Sequence, residues 1–293
     1  MQRLPKVEGI PEIVPVRRPI TEQIFVRRAA RFRSLAAGNP LGEYLTAMAW
    51  LADAQQAAST EMHFVSKDKP LPGEYPYHAV AWHRDESWRM ILKAILSKME
   101  KESLPPAALR ALKLLSESST VELEASADAL LSGNYSQMDL PSAPFMGAAL
   151  QVYWTALAKD IVVPAEARSK NGCPVCASPP VAGVVQGDSK LRYLECELCS
   201  TEWYLPRLTC SNCGSTEGLS YLSIENDSSG AKAECCARCH AYLKLFYLEA
   251  SPATVPIVDD VATFALDALI SEEGFSRIGP NFYLLPEPSP IIG

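Results

Sequence analysis

Eight cysteines in this chain fall into four pairs of the form Cys-x-x-Cys: Cys173 with Cys176, Cys196 with Cys199, Cys210 with Cys213, and Cys236 with Cys239. Two cysteines separated by two residues wrap one tight turn and present both sulfurs to a single tetrahedral ion at about 2.3 Å. Two such turns close one site, so the chemistry on offer is the binding of two metal ions by four thiolates each. The intervening stretches hold 19 residues (177–195), 10 residues (200–209) and 22 residues (214–235). Roughly 15–20 residues separate the knuckles of one four-cysteine ribbon. Cys173, Cys176, Cys196 and Cys199 are therefore expected on one ion, and Cys210, Cys213, Cys236 and Cys239 on the other. An interleaved arrangement, with the first and third pairs sharing an ion, stays open on spacing alone.

Competing readings of the cysteines fare less well. Their total is nine, an odd number, and the opening residues carry Pro5, Pro11, Pro15 and Pro19 without an apolar stretch. Arg17-Arg18 leads into Pro19 and the charged Arg27-Arg28 rather than a hydrophobic segment, so an export signal is not expected. A reducing cytoplasmic location follows as the expectation, and disulfides are rare there. A thioredoxin-like pair needs one motif opening a helix after a strand, not four in series. Cys235 breaks the spacing and reads as a spare structural thiol. His240, directly after Cys239, is an alternative fourth ligand.

The elements that must hold these knuckles are short and β-like. Val181 to Val185 and Leu191 to Leu194 flank Gln186-Gly187-Asp188-Ser189, a hairpin signal. Leu219 to Ile224 and Tyr242 to Tyr247 are similar runs, with a turn at Asp227-Ser228-Ser229-Gly230. Each module is expected as a small sheet too slight to fold without its ion. The first half reads as helices instead. Apolar stripes at helical spacing begin near residue 21, at Leu41, and again over Trp88, Ile91, Leu92, Ile95 and Met99. Further helices are expected at about 107–117 and 120–132, and through Phe145, Leu150, Tyr153 and Trp154. His63, His78 and His83 lie here without a partner at ligand spacing. Asp259-Asp260 reads as the cap of a last helix, ending near Gly274.

The fold class is therefore α+β multidomain: an N-terminal all-α domain (1–165), two tandem rubredoxin-like or zinc-ribbon four-cysteine modules (166–208 and 209–250), and a C-terminal helix and tail (251–293). No run of about 18 apolar residues is present, so no membrane insertion is expected.

Charge narrows the function. The formal net charge is −7, and all of it falls in residues 166–293, because residues 1–165 balance 18 basic against 18 acidic side chains. Two four-thiolate sites each holding a divalent ion would add −2 apiece. Such a ribbon half would repel a phosphate backbone, which disfavours a zinc-ribbon nucleic-acid binder. The cluster Arg27, Arg28, Arg31 and Arg33 reads as a solvated helix face, or alternatively as a docking stripe. No Ser/His/Asp set, phosphate-cradling loop or motif-placed carboxylate pair stands out, so an enzyme is not expected.

The run Cys173-Pro174-Val175-Cys176, then Leu191-Arg192-Tyr193-Leu194 with Cys196, Cys199, Glu202 and Trp203, then Arg207 with Cys210-Ser211-Asn212-Cys213, then Ala233-Glu234 with Cys236, Cys239 and Tyr242-Leu243-Lys244, closely resembles the formate dehydrogenase accessory protein FdhE family. Asp259-Asp260, Leu266-Asp267 and Glu273-Gly274-Phe275 also fit that family's pattern. The resemblance implies a cytoplasmic protein with iron in two rubredoxin-like sites, zinc being the alternative. It further implies assistance to an exported respiratory formate dehydrogenase through contact with its catalytic subunit. Arg192, Trp203 and Arg207, two cations and an aromatic beside the knuckles, are candidate docking residues; the plainer alternative is that they pack and pair within the module. A rubredoxin-like electron-transfer protein is the second function to keep in view.

Overall fold

Each apolar stripe of the first half becomes a helix in the computed structural model, which describes residues 13–61, 69–163, 172–225, 227 and 229–285. A short strand β1 (Val16–Arg17) leads to α1 (Ile24–Ala36), α2 (Gly42–Glu61), α3 (Ser87–Met99), α4 (Pro106–Glu117), α5 (Thr120–Ser132) and α6 (Ala143–Ala158). Pro106 is the first residue of α4, where its missing N–H costs nothing. Ser119 and Glu122 form a capping box at the start of α5, and Gly133 closes that helix in the left-handed region at φ 77°. Nearly every residue of α6 is buried, the pattern of a helix surrounded on all sides. It packs against α2, α3 and α5.

The second half forms β2 (Pro180–Gln186), β3 (Leu191–Cys196), β4 (Glu202–Tyr204), β5 (Leu219–Leu222), β6 (Ala231–Cys236) and β7 (Ala241–Tyr247), then α7 (Pro256–Ala262), α8 (Phe264–Glu272) and β8 (Ser276–Arg277). Here the structure departs from two separate small sheets. All eight strands join one sheet in the order β1-β4-β3-β2-β7-β6-β5, with β8 alongside β7. The join is a parallel pairing of β2 with β7, Gly183 opposite Leu245 and Val185 opposite Tyr247. Side chains of β2, β3 and β7 are buried on both faces, as in sheets covered on both sides. The apolar run of β2 is what fusion of the modules requires.

Three further corrections follow from the same packing. The C-terminal helix is broken at Thr263 into α7 and α8. Asp259 and Asp260 lie within α7, not at its cap, and both are buried. Asp259 takes Arg31 of α1, and Asp260 takes Lys244 at 3.0 Å and Arg277 at 2.5 Å. The arginines of α1 do not form one solvated face: Arg28 is buried and Arg31 is turned onto Asp259, while Arg33 pairs with Asp53 at the surface.

The two halves are not separated by solvent. One continuous apolar core runs from Phe25 of α1 through α6 to Phe246 of β7. The chain then returns from β8 to lay Phe282 against Gly147 of α6 and the Tyr283 ring edge-on to Phe32 at 5.1 Å. Among the described residues, no helix is long and apolar enough to cross a membrane. His63, Ser228 of the expected turn and the 165/166 boundary lie outside the described residues.

Candidate metal centres

The four knuckles share one backbone device. In the first three, the leading cysteine N–H donates to the carbonyl five residues on: Cys173 to Ser178 at 2.8 Å, Cys196 to Thr201 at 2.9 Å and Cys210 to Ser215 at 2.7 Å. In the fourth, Cys236 faces Ala241, again five residues on, across the β6–β7 ladder. The residue after each second cysteine takes a left-handed conformation: Ala177 at φ 64°, Ser200 at φ 56°, Gly214 at φ 72° and His240 at φ 52°. Its N–H closes the turn onto the carbonyl of the first cysteine, for His240 at 2.9 Å to Cys236. Backbone N–H groups then point at sulfur, from Val175 to Cys173 at 3.4 Å, Leu198 to Cys196 at 3.3 Å and Asn212 to Cys210 at 3.4 Å. Donors aimed at sulfur favour the thiolate form, which is the form that binds metal.

These turns bring the sulfurs together as two sets, Cys173, Cys176, Cys196 and Cys199, and Cys210, Cys213, Cys236 and Cys239. Within each set all sulfurs lie within 4.8 Å of one another. Cys173 and Cys199 are 3.4 Å apart, Cys176 and Cys196 3.4 Å, Cys210 and Cys239 3.7 Å, and Cys213 and Cys236 3.7 Å. A disulfide needs about 2.05 Å, whereas the edge of a tetrahedron with 2.3 Å arms is about 3.8 Å. The donor sets fit a tetrahedral ion with all-thiolate ligation, and the pairing along the chain is sequential rather than interleaved. Burial pushes the Cys173 and Cys196 thiols up and lifts Cys210 to about 12, because clustered sulfurs away from water resist carrying charge without a cation. Cys176 is held down instead, since hydrogen bonds from Cys173 and Cys196 outweigh its own burial.

Two nearby residues take other roles. His240 is the left-handed residue of the fourth knuckle and stays outside the sulfur cluster. Cys235 alternates to the opposite face of β6 from Cys236; it is buried, and its thiol is pushed up to about 11 by burial.

Surroundings distinguish the two centres. All four sulfur ligands of the first are fully buried. The helical half grips its knuckles directly: Tyr77 and Ala79 N–H groups donate to the Val175 and Cys176 carbonyls at 2.9 and 2.8 Å. Arg28 donates to the Ser200 hydroxyl at 2.7 Å and faces Glu195 at 3.6 Å. Gln151 of α6 donates to the Glu197 carboxylate at 3.0 Å, whose same oxygen accepts from the Phe282 N–H at 2.6 Å. Burial raises Glu195 to about 7 and Glu197 well above the carboxylate range. Sequence reasoning missed this network. Gln151, a lone amide in an apolar helix, was its one available signal. At the second centre Cys210 and Cys236 are buried, but Cys239 is half-buried and Cys213 exposed.

The candidate docking residues part company. Arg192 is fully buried, bound to both oxygens of Glu234 at 2.6 and 2.7 Å and to the Pro206 and Thr209 carbonyls. Trp203 is buried on β4. Neither can meet a partner from those positions, so both are corrected to packing and pairing roles; Arg207 alone is exposed.

Comparison with known proteins covers the same span. Residues 13–171 match the family model "FdhE, N-terminal", 172–207 "FdhE, central domain" and 208–284 "FdhE, C-terminal domain". "Protein FdhE homolog" of Cronobacter sakazakii is 39% identical over 287 residues, covering 94% of this chain and 92% of that one. "Protein FdhE" of Salmonella paratyphi A is 38% identical over the same coverage. The crystal structure of the FdhE protein from Pseudomonas aeruginosa aligns with a TM-score of 0.85 and 34% identity, over 93% of this chain and 99% of that one.

Proposed function

The chain belongs to the FdhE family, and on that premise we propose that it is a non-catalytic, cytoplasmic maturation factor for an exported respiratory formate dehydrogenase. It binds the enzyme's catalytic subunit and assists its assembly. The observation that carries this reading is the pair of four-sulfur clusters, with the first held by α1, α6 and the 77–79 loop. The metal is iron by resemblance to the family, with zinc as the alternative, since both accept tetrahedral thiolate. When bound, the ion locks the knuckles; the chain's own backbone N–H groups position the sulfurs and the left-handed residues shape the turns.

A second reading has one observation in its favour. The exposed Cys213 would bring an iron centre close to solvent, as an electron-transfer protein requires. A pull-down with the purified catalytic subunit, paired with formate dehydrogenase activity in cells lacking this protein, separates the two. Recovery of the subunit and loss of activity support the maturation factor. Unchanged activity with no subunit recovered favours the electron carrier. An absorption spectrum of aerobically purified protein decides the metal, because ferric thiolate is red and zinc colourless.

A further inference from the structure

The sheet ends at β1, and beside it lies a cleft of about 180 Å³ between residues 17–20 and the start of α1. Four arginines line it, Arg17, Arg18, Arg27 and Arg28, against two glutamates, Glu195 and Glu202. Each glutamate already has an arginine of its own. Arg17 binds Glu202 at 3.2 Å while lying 3.5 Å over the Tyr193 ring, and Arg28 faces Glu195 at 3.6 Å. Arg18 and Arg27 are exposed, and neither forms an ion pair with any described residue. The cleft therefore sets four cations against two acids, a local positive surplus in a chain whose net charge is −7. Other arginines of the helical half sit on acids, Arg31 on Asp259, Arg33 on Asp53 and Arg84 on Asp128. The start of α1 adds to the same field, for its first turn has no acidic residue and no side-chain cap at Gln23.

Apolar side chains make up most of the remaining wall, with Gln23 and Ser200 its polar members. Ile20, 61% exposed, stands at its mouth with Ile24, Val255 and Pro256 along the wall. β1 pairs with β4 on one side only, Val16 opposite Trp203 and Arg17 opposite Glu202, and its other edge carries no strand among the described residues.

The geometry points to a docking site for an extended, acidic peptide segment of a protein partner, with its carboxylates on Arg18 and Arg27, an apolar side chain over Ile20 and its backbone along the free edge of β1. Guanidinium groups take carboxylates through paired hydrogen bonds, and an exposed strand edge accepts an extended peptide. A small anion would satisfy the arginines but leave Ile20 and the strand edge uncovered. Charge adds selectivity, because residues 166–293 carry the chain's whole net charge of −7 and oppose an acidic segment, whereas the cleft presents Arg18 and Arg27. The inference deepens the proposed function by giving the partner's contact a place and a chemistry, and it rests on that reading only for the partner's identity.

Fluorescence anisotropy on the full metal-loaded chain tests it, with a fluorescein-labelled octapeptide alternating glutamate and valine, and its glutamine–valine counterpart as control. Saturable binding of the acidic peptide is expected, at least about tenfold weaker for the glutamine version and for the Arg18→Glu/Arg27→Glu variant. Arg110→Glu, the same charge change at an exposed position of α4, should stay within about twofold of wild type. Both cleft arginines are exposed, so folding is expected to survive; metal content checks it, and Arg18→Gln/Arg27→Gln gives a milder version. An equal loss in Arg110→Glu, or displacement of the peptide by an equal concentration of inorganic phosphate, would overturn the docking site. A parallel pull-down keeps the two proposals apart. Catalytic subunit captured equally by wild type and the double variant sinks the cleft but leaves the maturation factor standing. Arginine-dependent peptide binding with no subunit captured supports the cleft and sinks the maturation factor.

Discussion

The two metal centres are built from the same turn and placed in opposite surroundings. Around the first, every sulfur is buried and joins the continuous core. Around the second, Cys213 is exposed, Cys239 half-buried, and no ligand belongs to that core. The difference teaches that a Cys-x-x-Cys turn fixes ligand geometry within a few residues, while the consequence of filling the site depends on what packs over it. At the first centre the knuckle carbonyls and the Ser200 hydroxyl are also bonded to the helical half, so an ion there holds two halves of the molecule together. At the second, an ion holds the β5–β6 end of the sheet to the loop carrying Cys210 and Cys213.

The largest expected effect breaks that contrast. Metal binding to a four-ligand structural site is worth roughly 10–16 kcal/mol in isolated zinc fingers, and whole-domain stability is about 5–15 kcal/mol. Cys173→Ser/Cys176→Ser should therefore unfold the ribbon half and also strip hydrogen-exchange protection from the 77–79 segment and α1. Cys210→Ser/Cys213→Ser should lose protection only in β5, β6 and the 210–215 turn. Hydrogen exchange read by mass spectrometry checks both, and equal loss in α1 from the two variants would show the centres to be coupled after all. The bonds from Tyr77, Ala79 and Arg28 to the first knuckles are what tie the 77–79 segment and α1 to that ion.

How much of this was legible follows from the range of each signal. The eight ligand cysteines and helices α1 to α6 rest on local patterns, a two-residue spacing and a 3.6-residue stripe, and both can be read from the sequence; which pairs share an ion needed the structure. Fusion of the modules depends on β2 meeting β7 some 60 residues later in the chain, and β4 is three residues long, too short for alternation to show. The role of Arg28 was hidden because a buried arginine and a solvated one look identical in a helix with other arginines. Arg192 and Trp203 misled for a similar reason: the residue types that anchor interfaces also anchor cores, and only burial separates them.

Two buried ionic groups carry the next effects, one linking the two modules and one anchoring α7. Arg192 of β3 reaches Glu234 of β6 and so ties the first module to the second. Arg192→Met should cost about 3–5 kcal/mol by leaving Glu234 buried without its cation, and Arg192→Met/Glu234→Leu should recover much of that in urea denaturation. Equal losses in single and double variants would assign the cost to the lost carbonyl bonds instead. Burial works to raise the Asp260 carboxyl, but Arg277 and Lys244 outweigh it and hold it below the ordinary aspartate value. A depressed folded value means stability that is present above the unfolded value of 3.8 and lost as pH falls through the folded one. Asp260→Asn should thus cost about 3–5 kcal/mol at neutral pH, with the gap to wild type closing below about pH 4. A gap unchanged by acid would mean that the carboxylate's charge is not what α7 relies on.

The smallest effect sharpens the comparison at the level of a single turn. The left-handed position is filled by Ala177, Ser200, Gly214 and His240, and only the third is the residue that adopts such a φ freely. A left-handed residue other than glycine costs about 1–2 kcal/mol, against about 0.5–1 kcal/mol of extra chain entropy lost by glycine. His240→Gly should therefore leave the protein unchanged or up to about 1 kcal/mol more stable, less whatever the tilted contact of its ring with Phe275, 6.1 Å between centroids, contributes. Two metals per chain should remain, since the fourth turn needs the backbone of residue 240 and not its imidazole. If elemental analysis instead showed the second centre emptied, the histidine would be a ligand and the four-thiolate set at the open site would be wrong.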